Sequence, residues 1–174
     1  MAALQRPQAT DGRRVKPPLL FLDIDGVLNS RKYFERSPAP PPGAVADEMF
    51  RAMLDPEAVA HLRWLLDRSR ADVVLSSSWR HVLEPEAVAV MLRERGLGAD
   101  WLGFVGETPR DVRGRGREIH AWLVANKAIA RRFAVLDDDS DMSPVKRRWV
   151  QTTNERGLRR EHAERVLKML RASL

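Results

Sequence analysis

The amino-acid sequence predicts an α/β fold, a three-layer α/β/α sandwich built on a mostly parallel sheet. Three observations predict it. Short apolar runs at Leu19–Leu22, Val73–Leu75 and Phe133–Leu136 have strand length and break abruptly into polar side chains, as strands buried on both faces do. Segments with apolar residues at helical spacing lie between them, the alternation of a parallel sheet with covering helices. The 174 residues, 44% of them apolar, suit one domain with a full core.

Composition narrows the function classes. Cysteine is absent, which excludes disulfides and thiolate metal sites and leaves oxygen or His to hold any metal. No apolar run is long enough to cross a membrane and the N-terminus carries no apolar secretory segment, so the expectation is a cytoplasmic protein without a membrane partner. The net charge of +6 suits an anionic partner such as nucleic acid. An Arg- and Ala-rich coding bias explains the same charge.

Residues 1–17 lack periodicity and mix Pro, Gly and Arg, which predicts a flexible basic leader ahead of a domain over 18–174. The first strand, Leu19–Leu22, ends in Asp23-Ile-Asp25-Gly26. In an extended chain positions i and i+2 share a side, so both carboxylates project together from the strand's carboxyl end. Open α/β sheets bind ligands at that end. Paired carboxylates repel, and a hard cation such as magnesium, which takes oxygen ligands, is their simplest neutraliser. Gly26 lets the backbone turn away.

From about 29 to 45 the chain holds Tyr33, Phe34 and the run Pro38-Ala-Pro-Pro-Pro42-Gly43, so the prediction is an ordered loop or short lid. Tyr33 and Phe34 either stack on a base or plug the loop onto the core. Asp55-Pro56-Glu57 reads as a helix start, and Val59, Leu62, Leu65 and Leu66 as its buried face; His61 and Trp64 read as packing residues. The strand ending at Leu75 runs into Ser76-Ser77-Ser78, which can serve ligand binding and cap a following helix at once. A helix from Glu84 to Arg95 with Gly96 as its stop, a strand over Trp101–Val105 and a turn over Gly106–Pro109 follow.

Arg110, Arg113, Arg115 and Arg117 make the most basic loop, leading into a helix with Ile119, Trp122 and Leu123 inward. The third strand ends in Asp137-Asp138-Asp139, with Asp141 close behind. Trp149-Val150 reads as a last short strand. Gly157 then opens a helix that turns Ala163, Val166, Leu167, Leu170 and Leu174 inward.

Asp23-Ile-Asp25-Gly-Val-Leu-Asn29, the Ser76 strand end, Arg115-Gly-Arg-Glu-Ile119 and Leu136-Asp-Asp138, in this order, resemble the four motifs of the haloacid dehalogenase-like (HAD) superfamily in its phosphatase and phosphotransferase branch. Leu75-Ser-Ser-Ser-Trp-Arg80, taken with the first motif, is similar to the HAD domain of multidomain Swiss army knife RNA repair proteins. The resemblance spans about residues 18 to 172 and implies a Rossmann-like sandwich with a small or minimal cap, its first strand central between those bearing Ser76 and Asp138.

The same resemblance implies roles. Asp23 would be the nucleophile and Asp25 the general acid/base. Ser76 would bind a phosphoryl oxygen with Ser77 beside it, and Arg80 would clamp a phosphate. Arg115, or second Arg117, would supply the cation where the superfamily more often has Lys. Mg2+ would lie on Asp23, the Asp25 carbonyl, Asp138 and, second, Asp137. The implied activity is a magnesium-dependent phosphomonoester hydrolase with an aspartyl-phosphate intermediate, acting on RNA or DNA ends or on nucleotides. A small-metabolite phosphatase and a catalytically idle nucleic-acid-binding or regulatory module are the alternatives.

Overall fold

The computed structural model describes residues 16–37, 40 and 43–172. Five strands, β1 (Leu19–Leu22), β2 (Asp72–Leu75), β3 (Phe104–Glu107), β4 (Phe133–Asp137) and β5 (Trp149–Gln151), form one sheet in the order β3-β2-β1-β4-β5. Every pairing is parallel. The helices are α1 (Arg31–Arg36), α2 (Ala46–Met53), α3 (Pro56–Ser69), α4 (Pro85–Leu92), α5 (Arg115–Ala125) and α6 (Arg160–Arg171). β1 lies in the middle, flanked by β2 and β4 as the sequence implied.

The alternation of side chains along β1 divides the core. Leu20 and Leu22 pack with the buried faces of α3, α4 and α6 on one side of the sheet. Leu19 and Phe21 pack with Ile119, Trp122 and Leu123 of α5 on the other. Phe21 meets Trp122 edge-on at 5.5 Å between ring centroids. Every β1 side chain is fully buried, each contributing about 1.5–3 kcal/mol. That packing fixes the register: Leu22 stands beside Leu75 and Leu136, so the next residues, Asp23, Ser76 and Asp137, follow in one row across three strands.

α3 begins as its sequence requires, with the Asp55 carboxylate accepting from the Glu57 N–H at 2.9 Å and Pro56 in the first turn. Trp64 lies between the guanidinium groups of Arg68 and Arg160, 4.5 and 4.1 Å from its ring, a packing role. α4 runs on through one wider turn until Gly96 leaves the helix at φ +125.

Four elements differ from the sequence reading. α1 forms inside the expected loop, because Ser30 accepts from the Tyr33 N–H and the prolines begin only at Pro38. α2 is an added element: it has no fully buried residue, and of its residues Phe50 and Met53 pack against the core. β3 starts at Phe104 rather than Trp101; Trp101 instead packs edge-on against Phe104 at 5.1 Å. Gly106 belongs to the strand, close under the Trp122 indole, where a Cβ would lie 3.1 Å from its nitrogen. α6 starts at Arg160, since Gly157, at φ +64, serves a turn whose next residue, Leu158, donates to the Val27 carbonyl at 2.7 Å. The expected leader up to residue 15 and the inward Leu174 lie outside the described residues. No described helix is long and apolar enough to cross a membrane.

Candidate active site

The site is the row where the sheet changes from leucine to polar groups. Asp23, 4% exposed, donates its N–H to the Leu136 carbonyl, and the Ser76 N–H donates to Leu22. The β1–β2 and β1–β4 ladders therefore carry these side chains to the carboxyl edge. Asp23, Asp137 and Asp138 each offer a carboxylate oxygen within 4.8 Å of the others. Asp138 closes in because Gly26, at φ +68, has no Cβ; one there would collide with the Asp138 carboxylate.

One cation answers these acids directly. Arg115, in the first turn of α5, places Nε 2.9 Å from Asp137 Oδ2, Nη2 3.5 Å from Asp23 Oδ1 and Nη1 3.2 Å from Glu118. It also donates to the Ser76 carbonyl. Arg117 is exposed and forms no ion pair among the described residues, so of the two candidates only Arg115 faces the acids.

Electrostatics leave the cluster short of positive charge. Burial raises the Asp23 carboxyl from 3.8 to about 6, against the opposing pull of Arg115 and the Ser77 hydroxyl. Asp137 is pushed to about 8 by burial and by the charge of Asp23, with Arg115 and the Asp139 N–H pulling down. Burial raises Asp138 as well. Asp23 Oδ1, Asp137 Oδ2, Ser76 Oγ and Thr108 Oγ1 are buried and have no hydrogen-bond partner among the described residues. Asp137 Oδ2 lies close to Arg115 Nε but off the line of its N–H. Unpaired buried oxygens each cost about 1–3 kcal/mol or more. An all-oxygen set with excess negative charge fits a hard divalent cation.

The serines divide. Ser76 Oγ has no partner, and its carbonyl receives Arg80 and Arg115. Ser77 accepts from the Trp79 N–H at 3.3 Å, and its hydroxyl is the one that lowers the Asp23 carboxyl. Arg80 corrects an expectation. It is 2% exposed and donates to the carbonyls of Ser76, Ser77 and Thr108 at 2.9, 2.7 and 3.1 Å and to Glu118 at 2.8 Å. Those bonds engage Nε, Nη1 and Nη2, so the side chain ties the ends of β2 and β3 together and its guanidinium has no free fork for a phosphate.

Asp25 is half-buried and stands apart from the three clustered acids. Its carboxylate accepts from the Asn29 amide at 2.8 Å, from the Trp79 indole N–H at 3.1 and 3.2 Å, and from Ser78 at 3.5 Å. Its carbonyl therefore remains the group that could join a metal. Neither Asn29 nor the Trp79 indole was marked by spacing, since Trp79 lies 54 positions from its acceptor. Thr152, which donates to the Gly26 carbonyl at 2.7 Å, likewise gave no signal. Tyr33 plugs α1 onto the core: it is 6% exposed and donates to the Ala52 carbonyl at 2.8 Å. A cavity of about 210 Å³ has Ser78, His81, Arg115 and Asp139 among its walls, so it meets the acid cluster through Arg115.

A family model for the HAD domain in Swiss Army Knife RNA repair proteins matches residues 19–163. No curated protein matches the chain.

Proposed function

Because the chain belongs to the family of HAD domains found in Swiss Army Knife RNA repair proteins, we propose that it is a magnesium-dependent phosphomonoester hydrolase acting on nucleic-acid ends or nucleotides. The observation that carries this reading is the convergence of Asp23, Asp137, Asp138 and Arg115 at the carboxyl edge of the central strand. Asp23, Asp138, Asp137 and the Asp25 carbonyl would hold magnesium, which supplies the charge that lets an anionic phosphate approach a carboxylate.

An Asp23 carboxylate oxygen attacks phosphorus in line, and the bond from phosphorus to the ester oxygen breaks. Asp25 gives that oxygen its proton. In the second step Asp25 takes a proton from water, whose oxygen attacks the phosphorus of the Asp23 acyl phosphate and frees carboxylate and inorganic phosphate. Arg115 favours the ionised nucleophile and offsets charge gathering on the phosphoryl oxygens. Ser77, against Asp23, supplies a hydroxyl to those oxygens; Ser76, one residue earlier, stands beside Asp23 in the row at the strand ends.

Two features support a macromolecular end as substrate. Among the described residues only α1 and α2 are inserted between β1 and α3, which leaves little cap to enclose a small metabolite. Arg110 and Arg113 are exposed on the loop that leads into α5, and Arg117 is exposed in the helix's first turn. The test compares phosphate release from 3'- and 5'-phosphorylated oligonucleotides with release from mononucleotides and sugar phosphates, with magnesium and with a chelator. Faster oligonucleotide turnover that weakens as salt rises is expected. Turnover of small esters alone, indifferent to salt, would overturn the substrate class.

A further inference from the structure

Asp23 and Asp25 leave the same strand two residues apart, yet their side chains meet different neighbours. Asp23 faces Arg115 and the acids of β4. Asp25 accepts from a separate set of hydrogen-bond donors, Asn29, Trp79 and Ser78. The Asn29 amide donates to Asp25 Oδ1 at 2.8 Å, and the orientation of that amide is fixed, because its oxygen accepts from the Gly26 N–H at 2.9 Å. The Trp79 indole N–H straddles the carboxylate, 3.1 Å from Oδ1 and 3.2 Å from Oδ2. Among the described residues Oδ2 otherwise meets only the Ser78 hydroxyl at 3.5 Å, and Ser78 lines the cavity that Arg115 also lines.

The indole is itself held. Trp79 is 4% exposed, its backbone N–H donates to Ser77 Oγ, and the Phe50 ring of α2 packs on it at 4.9 Å and 66°. A side chain buried to this degree, with its one polar atom spent on a carboxylate, fixes the direction in which that carboxylate points.

We infer that Trp79 is a positioning residue: with Asn29 it anchors Asp25 Oδ1 and turns Oδ2 toward the leaving-group oxygen, so that α2, through Phe50 and the indole, braces the proton-transfer group. This assignment rests on the phosphomonoester hydrolase reading. It concerns only the proton given to the departing oxygen as the phosphorus–oxygen bond breaks.

The test uses leaving groups that differ in their need for that proton. Values of kcat/KM for an alkyl phosphate, whose alkoxide must be protonated, and for p-nitrophenyl phosphate, whose phenolate departs unaided, are measured on the full chain and on Trp79→Phe. The expected result is a loss on the alkyl ester about tenfold greater than the loss on the aryl ester. In an Asp25→Asn background the same substitution should no longer change the ratio. Phe50→Ala, which sits at a half-buried position and leaves the indole N–H in place, should shift the ratio in the same direction by a smaller factor, and serves if Trp79→Phe does not fold. Proportional losses on both esters, in a wild type that hydrolyses both, would overturn the positioning role alone. A wild type inert toward both would overturn the hydrolase reading and this assignment with it.

Discussion

Two neighbouring rows of the same sheet obey opposite rules. Leu22, Leu75 and Leu136 stand side by side in full burial, each packed against helices. One residue further along, Asp23, Ser76 and Asp137 stand in the same register and are almost as deeply buried, yet three of their oxygens lack a hydrogen-bond partner. The backbone treats the rows alike, because ladder bonds run through both. The difference is that the first row stabilises the fold and the second draws on that stability to hold charge where water cannot relax it. Such local cost is a mark of functional sites.

The largest way to sharpen the contrast is Asp23→Asn. It should abolish magnesium-dependent phosphate release while leaving the melting temperature of the metal-free protein equal or higher, since it removes a buried charge; retained turnover would break the covalent route. Arg115→Met comes next. Removing this cation, the one among the described residues that faces the acids, should lower kcat/KM by about 10²–10³-fold, read from steady-state kinetics with an aryl phosphate.

Stability measurements separate the rows from the other side. Leu136→Ala should cost about 2–5 kcal/mol in denaturant unfolding, as a fully buried leucine does when its cavity remains. Its neighbour Asp137→Asn should raise the melting temperature of the metal-free protein, because it relieves repulsion with Asp23 while Arg115 keeps its other carboxylate partners, Asp23 and Glu118. A fall comparable to the leucine change would show that the polar row is a net stabiliser after all.

The smallest expected effect is the pH dependence. Asp23 and Asp137 hold protons in the folded protein up to about 6 and about 8, against an ordinary value of 3.8. The unfolded chain releases those protons first, so folding is favoured below the ordinary value and loses ground as pH rises through the folded values. Metal-free protein should melt at progressively lower temperature between about pH 4 and pH 8, and magnesium should flatten that slope. A flat or rising profile without magnesium would contradict the charge excess.

Much of this was legible in the sequence because strand ends are written in simple chemistry. A short apolar run that stops at Asp, Ser or Asp-Asp announces both the strand and the polar row, and the order β3-β2-β1-β4-β5 places the Ser76 and Asp138 strands beside Asp23. What stayed hidden depended on three-dimensional contact. Arg80 and Arg115 are both arginines beside motif residues, and only the fold shows one spent on loop carbonyls and the other aimed at carboxylates. Ser76 and Ser77 cannot be ranked by adjacency, because the difference lies in which hydroxyl meets Asp23. No spacing in the sequence ties Trp79 to Asp25, 54 positions away; only the fold puts its indole N–H on that carboxylate. α2 carries an apolar stripe at Met49, Phe50 and Met53, yet it buries no residue fully, so its packing shows only in the fold.

The central claim is that Asp23 bonds to phosphorus, and the most direct measurement is to quench the enzyme in acid during turnover and locate the phosphoryl group by peptide mass spectrometry. The account predicts one phosphoryl adduct, on the peptide carrying Asp23, labile to hydroxylamine and absent from Asp23→Asn. Turnover by the wild type with the adduct on another residue, or with none under conditions that trap acyl phosphates, would contradict it.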